Sequence, residues 1–207
     1  MQTIGGPTAI IEIGTLRFIT DPTFDPPGHY GADTAREALM KTAGPAIDAN
    51  DVGRIDAALL SNDQHVDNLD VGEAAPRHVA AHPDDLTAAA RLGASARGLE
   101  HYATCRLERA EAQAVLVMAL PAQHGPEPIT GPVNGFLLSS PDAPTIYISS
   151  DNVSVDVVRE IATRVGQIDI AILFVGAANL PWLFDGAELT LDNAAALEAT
   201  HVLDQRS

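Results

Sequence analysis

The stretch IDAALLSNDQHVDNLD, residues 55–70, decides how this chain is read. Its first part, IDAALL (55–60), is an apolar run with no turn former inside it, which predicts a buried strand ending at Ser61. The remainder crowds Asn62, Asp63, Gln64, His65, Asp67, Asn68 and Asp70 into the positions that follow. A polar cluster directly after a strand is placed where sheet-based enzymes put their chemistry. The strand is rigid and aims the side chains, while the loop remains free to be polar.

Working outward, the same grammar recurs. TAIIEIGTLRFITD (8–21) contains two β-rich runs around Gly14-Thr15, and glycine at the first central position suits a type II′ hairpin turn. DPTFDPPGHYG (21–31) is too rich in proline and glycine for regular structure and reads as a long loop, while ADTAREALMKTAG (32–44) has the composition of a helix. RHVAA (77–81) reads as a strand and PDDLTAAARLG (83–93) as a helix, with Pro83 at its start and Gly93 at its end. AQAVLVMALPAQHG (112–125) is an apolar strand running into a loop that carries His124. VNGFLLSS (133–140) and TIYISSDN (145–152) pair as strands, the second ending at Asp151. An amphipathic helix over 153–166, the very apolar strand IDIAILFVG (168–176) and a final helix over 191–204, capped by Asp192 or Asn193, complete the chain. Such an order predicts a layered α/β protein and not a regularly alternating, doubly wound sheet.

Composition excludes several function classes. With 12 basic residues against 28 acidic ones, the formal charge is −16, which opposes binding to nucleic acid or anionic membrane, where Lys and Arg must displace counterions. Cys105 is the single cysteine, so an internal disulfide and a multi-cysteine zinc site are both excluded. With no apolar run near ~18 residues and no basic, apolar leader at the start, the expected setting is cytoplasmic. The 207 residues suffice for one large domain with a substantial core. A Rossmann-type nucleotide site is disfavoured, because no G-x-G-x-x-G follows a strand.

Three loops, each following an apolar strand, hold the chemistry: Asp63, His65 and Asp67 in the first, His124 in the second and Asp151 in the third. Imidazole and carboxylate together suit zinc, manganese or iron, and a shared aspartate is a common way to hold two ions. Each residue also has a plainer reading. His65 and His124 could be hydrogen-bonded histidines, and Asp151 could cap the helix that starts near Val153. His29, His78, His82 and His101 read as solvated or structural, Asp21 as support behind the site or, in preference, a turn residue ahead of Pro22, and Trp182, Leu183 and Phe184 as a plug or pocket wall.

At these residues the chain resembles the metallo-β-lactamase superfamily, in its branch of ascorbate-6-phosphate lactonase-like and N-acylphosphatidylethanolamine phospholipase D-like proteins. IIEIGTLRFITDPTF, LLSNDQHVDNLD, ALPAQHGPE, GFLL…IYISSDN and IDIAILFVGAA match that branch in order, over nearly the whole chain. The resemblance implies a single domain over 1–207, a four-layer αββα sandwich of two mixed β-sheets, with one or two divalent ions held by Asp63, His65, Asp67, His124 and Asp151. It implies hydrolysis of an ester, lactone, amide or phosphodiester bond of a small molecule by metal-activated water, with Asp67 orienting the water or holding the second ion. The family's first metal loop is usually His-x-His-x-Asp-His; here Asp63 and Asn68 stand in the first and last histidine positions. The family's last histidine, in a strand after the final helix, has no counterpart before Ser207, and His201 lies within that helix. The alternative is therefore a degenerate, metal-free member of the same fold serving as a binding or assembly module. A sandwich truncated there would expose an apolar edge that a second subunit could cover.

Overall fold

The alternation in TAIIEIGTLRFIT forms the expected hairpin. β2 (Thr8–Ile13) pairs antiparallel with β3 (Leu16–Thr20) in the register Ile13↔Leu16. Gly14 takes a φ of 58° while Thr15 takes no positive φ, the combination of a type II′ turn. The computed structural model describes residues 1–31, 38–62, 78–85, 95–109, 113–125, 132–177 and 188–204. They fall into two compact units, Met1–Gly98 and Leu99–Ser207.

The first unit carries a six-stranded mixed sheet in the order β1-β2-β3-β6-β7-β8, with β1 at Gln2–Gly5, β6 at Ala57–Leu59, β7 at His78–Ala81 and β8 at Ser95–Gly98. β1, β2 and β3 are antiparallel; β3, β6, β7 and β8 run parallel. Side-chain alternation places Ile10, Ile19, Ala58, Leu60, Val79 and Ala81 in one apolar cluster. The parallel register sets Thr20 beside Leu59 and Leu59 beside Ala80, so Asp21, Ser61 and His82 leave the sheet at one edge.

Two predicted segments are corrected here. Residues 28–31, read as loop, and part of 32–44, read as helix, instead form the antiparallel pair β4 (Gly28–Gly31) and β5 (Ala38–Lys41). ALMK has good helix propensity, but four residues of it are a weak prior that cross-strand pairing overrides. Of the helix expected over 83–93, Pro83–Asp85 form one 3-10 turn and residues 86–93 lie outside the described residues.

The second unit carries a five-stranded mixed sheet in the order β13-β12-β11-β10-β9: β9 at Thr104–Leu107, β10 at Val115–Ala122, β11 at Val133–Ser140, β12 at Ala143–Ile148 and β13 at Ile170–Ile172. β9 to β12 are antiparallel, and β13 joins β12 in parallel. Helix α1 (Val155–Arg164) buries Val158, Ile161 and Ala162, and α2 (Asn193–Asp204) packs on it through Ala199 and Val202 beside Leu191. Asp192 accepts a hydrogen bond from Ala195 N at 2.7 Å, the cap expected from sequence. The run 168–176 was the strongest apolar signal, yet only Ile170–Ile172 pair, and Ile170 is 43 % exposed. Apolarity reports what a segment can bury, and a strand with one described neighbour buries less.

Two mixed sheets with few helices constitute the expected α/β class. No described helix is long and apolar enough to cross a membrane.

Tyr147 is fully buried, with Leu120, Leu137 and Ile161 in its cluster, and its hydroxyl has no hydrogen-bond partner among the described residues. Burial pushes its phenol above the ordinary tyrosine range. An unpaired buried hydroxyl costs roughly 1–3 kcal/mol. Tyr147→Phe removes that cost and keeps the ring, so it is expected to raise unfolding free energy by about 1 kcal/mol. The measurement is urea unfolding, with a higher midpoint at unchanged slope; a lower midpoint would show the hydroxyl to be paired.

Candidate metal centre

In the second unit, β10 ends at Ala122 and β12 at Ile148, two strands that flank β11, so their exits emerge at the same edge. Gln123-His124 follows the first and Ser149-Ser150-Asp151-Asn152 the second. The two loops are tied by one residue. Asn152, wholly buried, accepts hydrogen bonds from Gln123 N (3.1 Å) and Ser154 N (3.3 Å) and donates to Ser154 O (2.9 Å). Its backbone carbonyl accepts from Leu191 N at 2.9 Å, and Val153 N donates to Gln123 O at 2.8 Å. The residue before His124 and the residue after Asp151 are thus directly bonded.

His124 is 8 % exposed, and its Nδ1 lies 2.9 Å from Leu189 O. A carbonyl can only accept, so Nδ1 carries a proton. Metal-binding histidines are oriented in this way, with the second nitrogen donating to a carbonyl or carboxylate.

Asp151 is 9 % exposed and sits at the apex of a tight turn closed by Asn152 N donating to Ser150 O at 2.8 Å. The alternative reading of Asp151 as the cap of the following helix is corrected: Ser154 caps α1, its hydroxyl accepting from Val157 N at 3.3 Å. The turn also places Ser150 at φ 51°, the left-handed region that favours glycine. Gly135 on β11 lets β12 close in, since a Cβ there would stand 3.0 Å from Ile148 O.

In the first unit, Asp63, His65, Asp67 and Asn68 lie outside the described residues, as does the aromatic group at 182–184 in the second. The root of that loop is described. Asp21, expected as a turn residue, is fully buried, and its Oδ1 accepts from Ser61 N at 2.7 Å. The Asp-Pro step after β3 therefore braces the exit of β6, as a buried carboxylate does when a backbone N–H is in reach.

His82, expected to be solvated or structural, is buried at the end of β7, its Nδ1 accepting from Asp84 N at 3.3 Å. His78, His101 and His201 are exposed, and His201 stands on α2. Sequence reasoning passed over Asn152 as a site-building residue, and favoured a turn for Asp21 over support of the polar loop. The adjacency of Asn152 to Asp151 was the available signal.

Among the described residues, no group of three or more His, Cys, Asp or Glu side chains is close enough to hold an ion. His124 and Asp151 are the two proposed ligands that the described residues contain. Both fit a divalent ion by donor chemistry, an imidazole oriented through its Nδ1 and a carboxylate on a braced turn.

The beta-lactamase superfamily domain matches residues 16–207, nearly the entire chain. The chain belongs to the beta-lactamase superfamily. No curated protein sequence matches it.

Solved structures share the superfamily fold at low identity. An isothiocyanate hydrolase from Delia radicum gut bacteria superposes with a TM-score of 0.78 at 20 % identity, over 100 % of this chain and 81 % of that one. A possible metal-dependent hydrolase from Veillonella parvula gives 0.80 at 15 % identity, over 99 % and 81 %. A novel metallo hydrolase from the hyperthermophilic archaeon Ignicoccus hospitalis gives 0.68 at 17 % identity, over 98 % and 77 %.

Substitutions at two positions test this frame. Asn152→Ala removes three hydrogen bonds and leaves the part-buried backbone N–H groups of Gln123 and Ser154 without that partner, so a loss of about 1–3 kcal/mol in urea unfolding is expected. Ser150→Gly relieves the left-handed residue and is expected to leave stability unchanged or raise it by up to about 1 kcal/mol, whereas Ser150→Val lowers it. Equal stability of the glycine and valine variants would show that position 150 is unstrained.

Proposed function

We propose that this protein is a metal-dependent hydrolase of a small neutral or singly charged molecule, cleaving an ester, lactone, amide or phosphodiester bond. The proposed ligands are Asp63, His65, Asp67, His124 and Asp151. The observation that carries the reading is the His124 ring, oriented through its Nδ1, on a loop bonded through Asn152 to that of Asp151. Superfamily membership and the metallo-hydrolase fold of the solved structures support it. The motif order favours the lactonase-like and phospholipase D-like branch, with residues 1–207 forming one superfamily domain.

Zinc, manganese or iron at such a site would supply Lewis-acid polarisation of the scissile group and a lowered pKa for water. The chain's own residues do the rest. Leu189 O holds the His124 ring in place, the turn around Ser150 presents the Asp151 carboxylate, and Asp67 is proposed to orient the attacking water. A strongly acidic chain repels polyanions, which is the reason for choosing a substrate of low charge. The same balance supports a protein without nucleic-acid or membrane partners, and the single cysteine, Cys105, supports a cytoplasmic setting. The second reading, a non-catalytic binding module, is favoured by Asp63 and Asn68 where the family usually has histidines, because an amide oxygen offsets little of an ion's dehydration.

Elemental analysis after dialysis against trace zinc, manganese and iron tests the proposal. Near-stoichiometric metal is expected in the parent protein, and its loss is expected in a His65→Ala, His124→Ala double variant and in Asp151→Ala. Hydrolysis in a panel of esters, lactones and phosphodiesters should disappear with the metal. Metal-free parent protein would overturn the hydrolase reading in favour of the binding module.

A further inference from the structure

Ser149 is the first residue past β12, two positions before Asp151, and it is wholly buried. Its backbone N–H donates to Ile172 O at 2.9 Å, which extends the hold of β13 one residue beyond the strand. Its carbonyl lies against β11, where glycine leaves the room: a Cβ at Gly135 would stand 3.3 Å from Ser149 O. The backbone at 149 is therefore held by the neighbouring strands on both sides, whatever its side chain.

The hydroxyl makes a different set of bonds. Oγ accepts from Phe174 N at 2.9 Å, in the loop that leaves β13, and donates to Ser150 O at 3.0 Å. Ser150 O also accepts from Asn152 N at 2.8 Å. One carbonyl thus receives two donors, and it belongs to the peptide unit joining Ser150 to Asp151. A peptide unit is planar, so fixing its oxygen fixes the direction of its N–H and with it the base of the Asp151 side chain. The turn needs such support. Ser150 keeps a φ of 51°, and a left-handed residue other than glycine persists only where its surroundings over-determine it. Neither the sheet nor the helix uses the Ser149–Ser150 bond, since the sheet is closed by the backbone pair with Ile172 and α1 is capped by Ser154.

We infer that Ser149 is a positioning residue of the proposed metal centre: its hydroxyl, anchored on Phe174 N, holds the peptide before Asp151 and so sets the direction in which the carboxylate is presented. The inference rests on the proposed reading of Asp151 as a ligand, and it brings the exit of a third strand, β13, into the support of the site. Residues that orient a ligand without touching the ion change metal affinity by roughly 10–100-fold when they are removed.

The test measures zinc affinity of the full chain by competition with a chelating dye, with urea unfolding of the same samples as the measure of folding. Ser149→Ala is expected to weaken zinc binding by roughly 10–100-fold while still unfolding cooperatively, and Ser149→Thr, which keeps the hydroxyl, is expected to stay within about threefold of the parent. A serine that only supports the fold predicts a different split, a lower urea midpoint in Ser149→Ala with the zinc affinity of the parent. That result would overturn the positioning role and leave the metal centre standing, as would equal weakening in both variants. Parent protein that binds no zinc would overturn both readings. A pair of crystal structures of the parent, with and without zinc, provides a check independent of the variants' folding. Both Oγ contacts and one orientation of the Ser150–Asp151 peptide are expected in the two states. A peptide that turns over on zinc uptake would show that the ion, and not Ser149, orients the carboxylate, and the inference would fall.

Discussion

The arrangement of the second unit depends on the side chain of Asn152. One buried amide bonds the backbone that leaves β10 and the backbone that enters α1, and its own carbonyl receives the segment before α2. Loops normally sample many conformations, and ordering each residue costs roughly 1–2 kcal/mol of backbone entropy. Placing the shared tie between two loops, at the residue next to Asp151, orders both with the same group. Aspartate could accept at this position but could not donate to Ser154 O, and serine would not reach both loops.

A comparable economy operates in the first unit through Asp21. Its carboxylate is buried at the end of β3 and accepts from Ser61 N, one strand away, where the polar loop begins. Parallel strands deliver their C-terminal ends to one edge, so a residue just past β3 is positioned to brace the residue just past β6. In both units a short-chained polar residue after one strand fixes the backbone after another. Candidate ligands that follow such a brace can be aimed by the sheet without lying within it.

How much of this was legible in the sequence follows from the range of each interaction. The hairpin at Gly14, the strands around 57–59 and 115–122, and the N-terminal cap of the final helix are set by residues near in sequence, and pattern reading found them. The β4–β5 pair was missed because ALMK is locally a helix former and its state is fixed by cross-strand partners at 28–31. The exposed face of β13 was missed because an apolar run does not state how many neighbours the sheet will provide. Asp151 was legible as a candidate through its position after a strand. Asn152 and Asp21 act over separations of 29 and 40 residues, and nothing in single-sequence periodicity encodes those pairings.

Local costs in the described part of the second unit differ in kind. Tyr147, on β12, has no hydrogen-bond partner for its hydroxyl among the described residues, but it is surrounded by an apolar cluster, and phenylalanine would serve there equally well. Ser150 holds a left-handed φ where glycine is the cheaper residue, as Tyr102 and Ala177 do elsewhere in that unit, and of the three it alone directly precedes a proposed ligand, Asp151. Folding alone selects against such a feature, since it lowers stability for no structural gain. Strain beside a proposed ligand is what a binding site tolerates, because a bound molecule can make use of it.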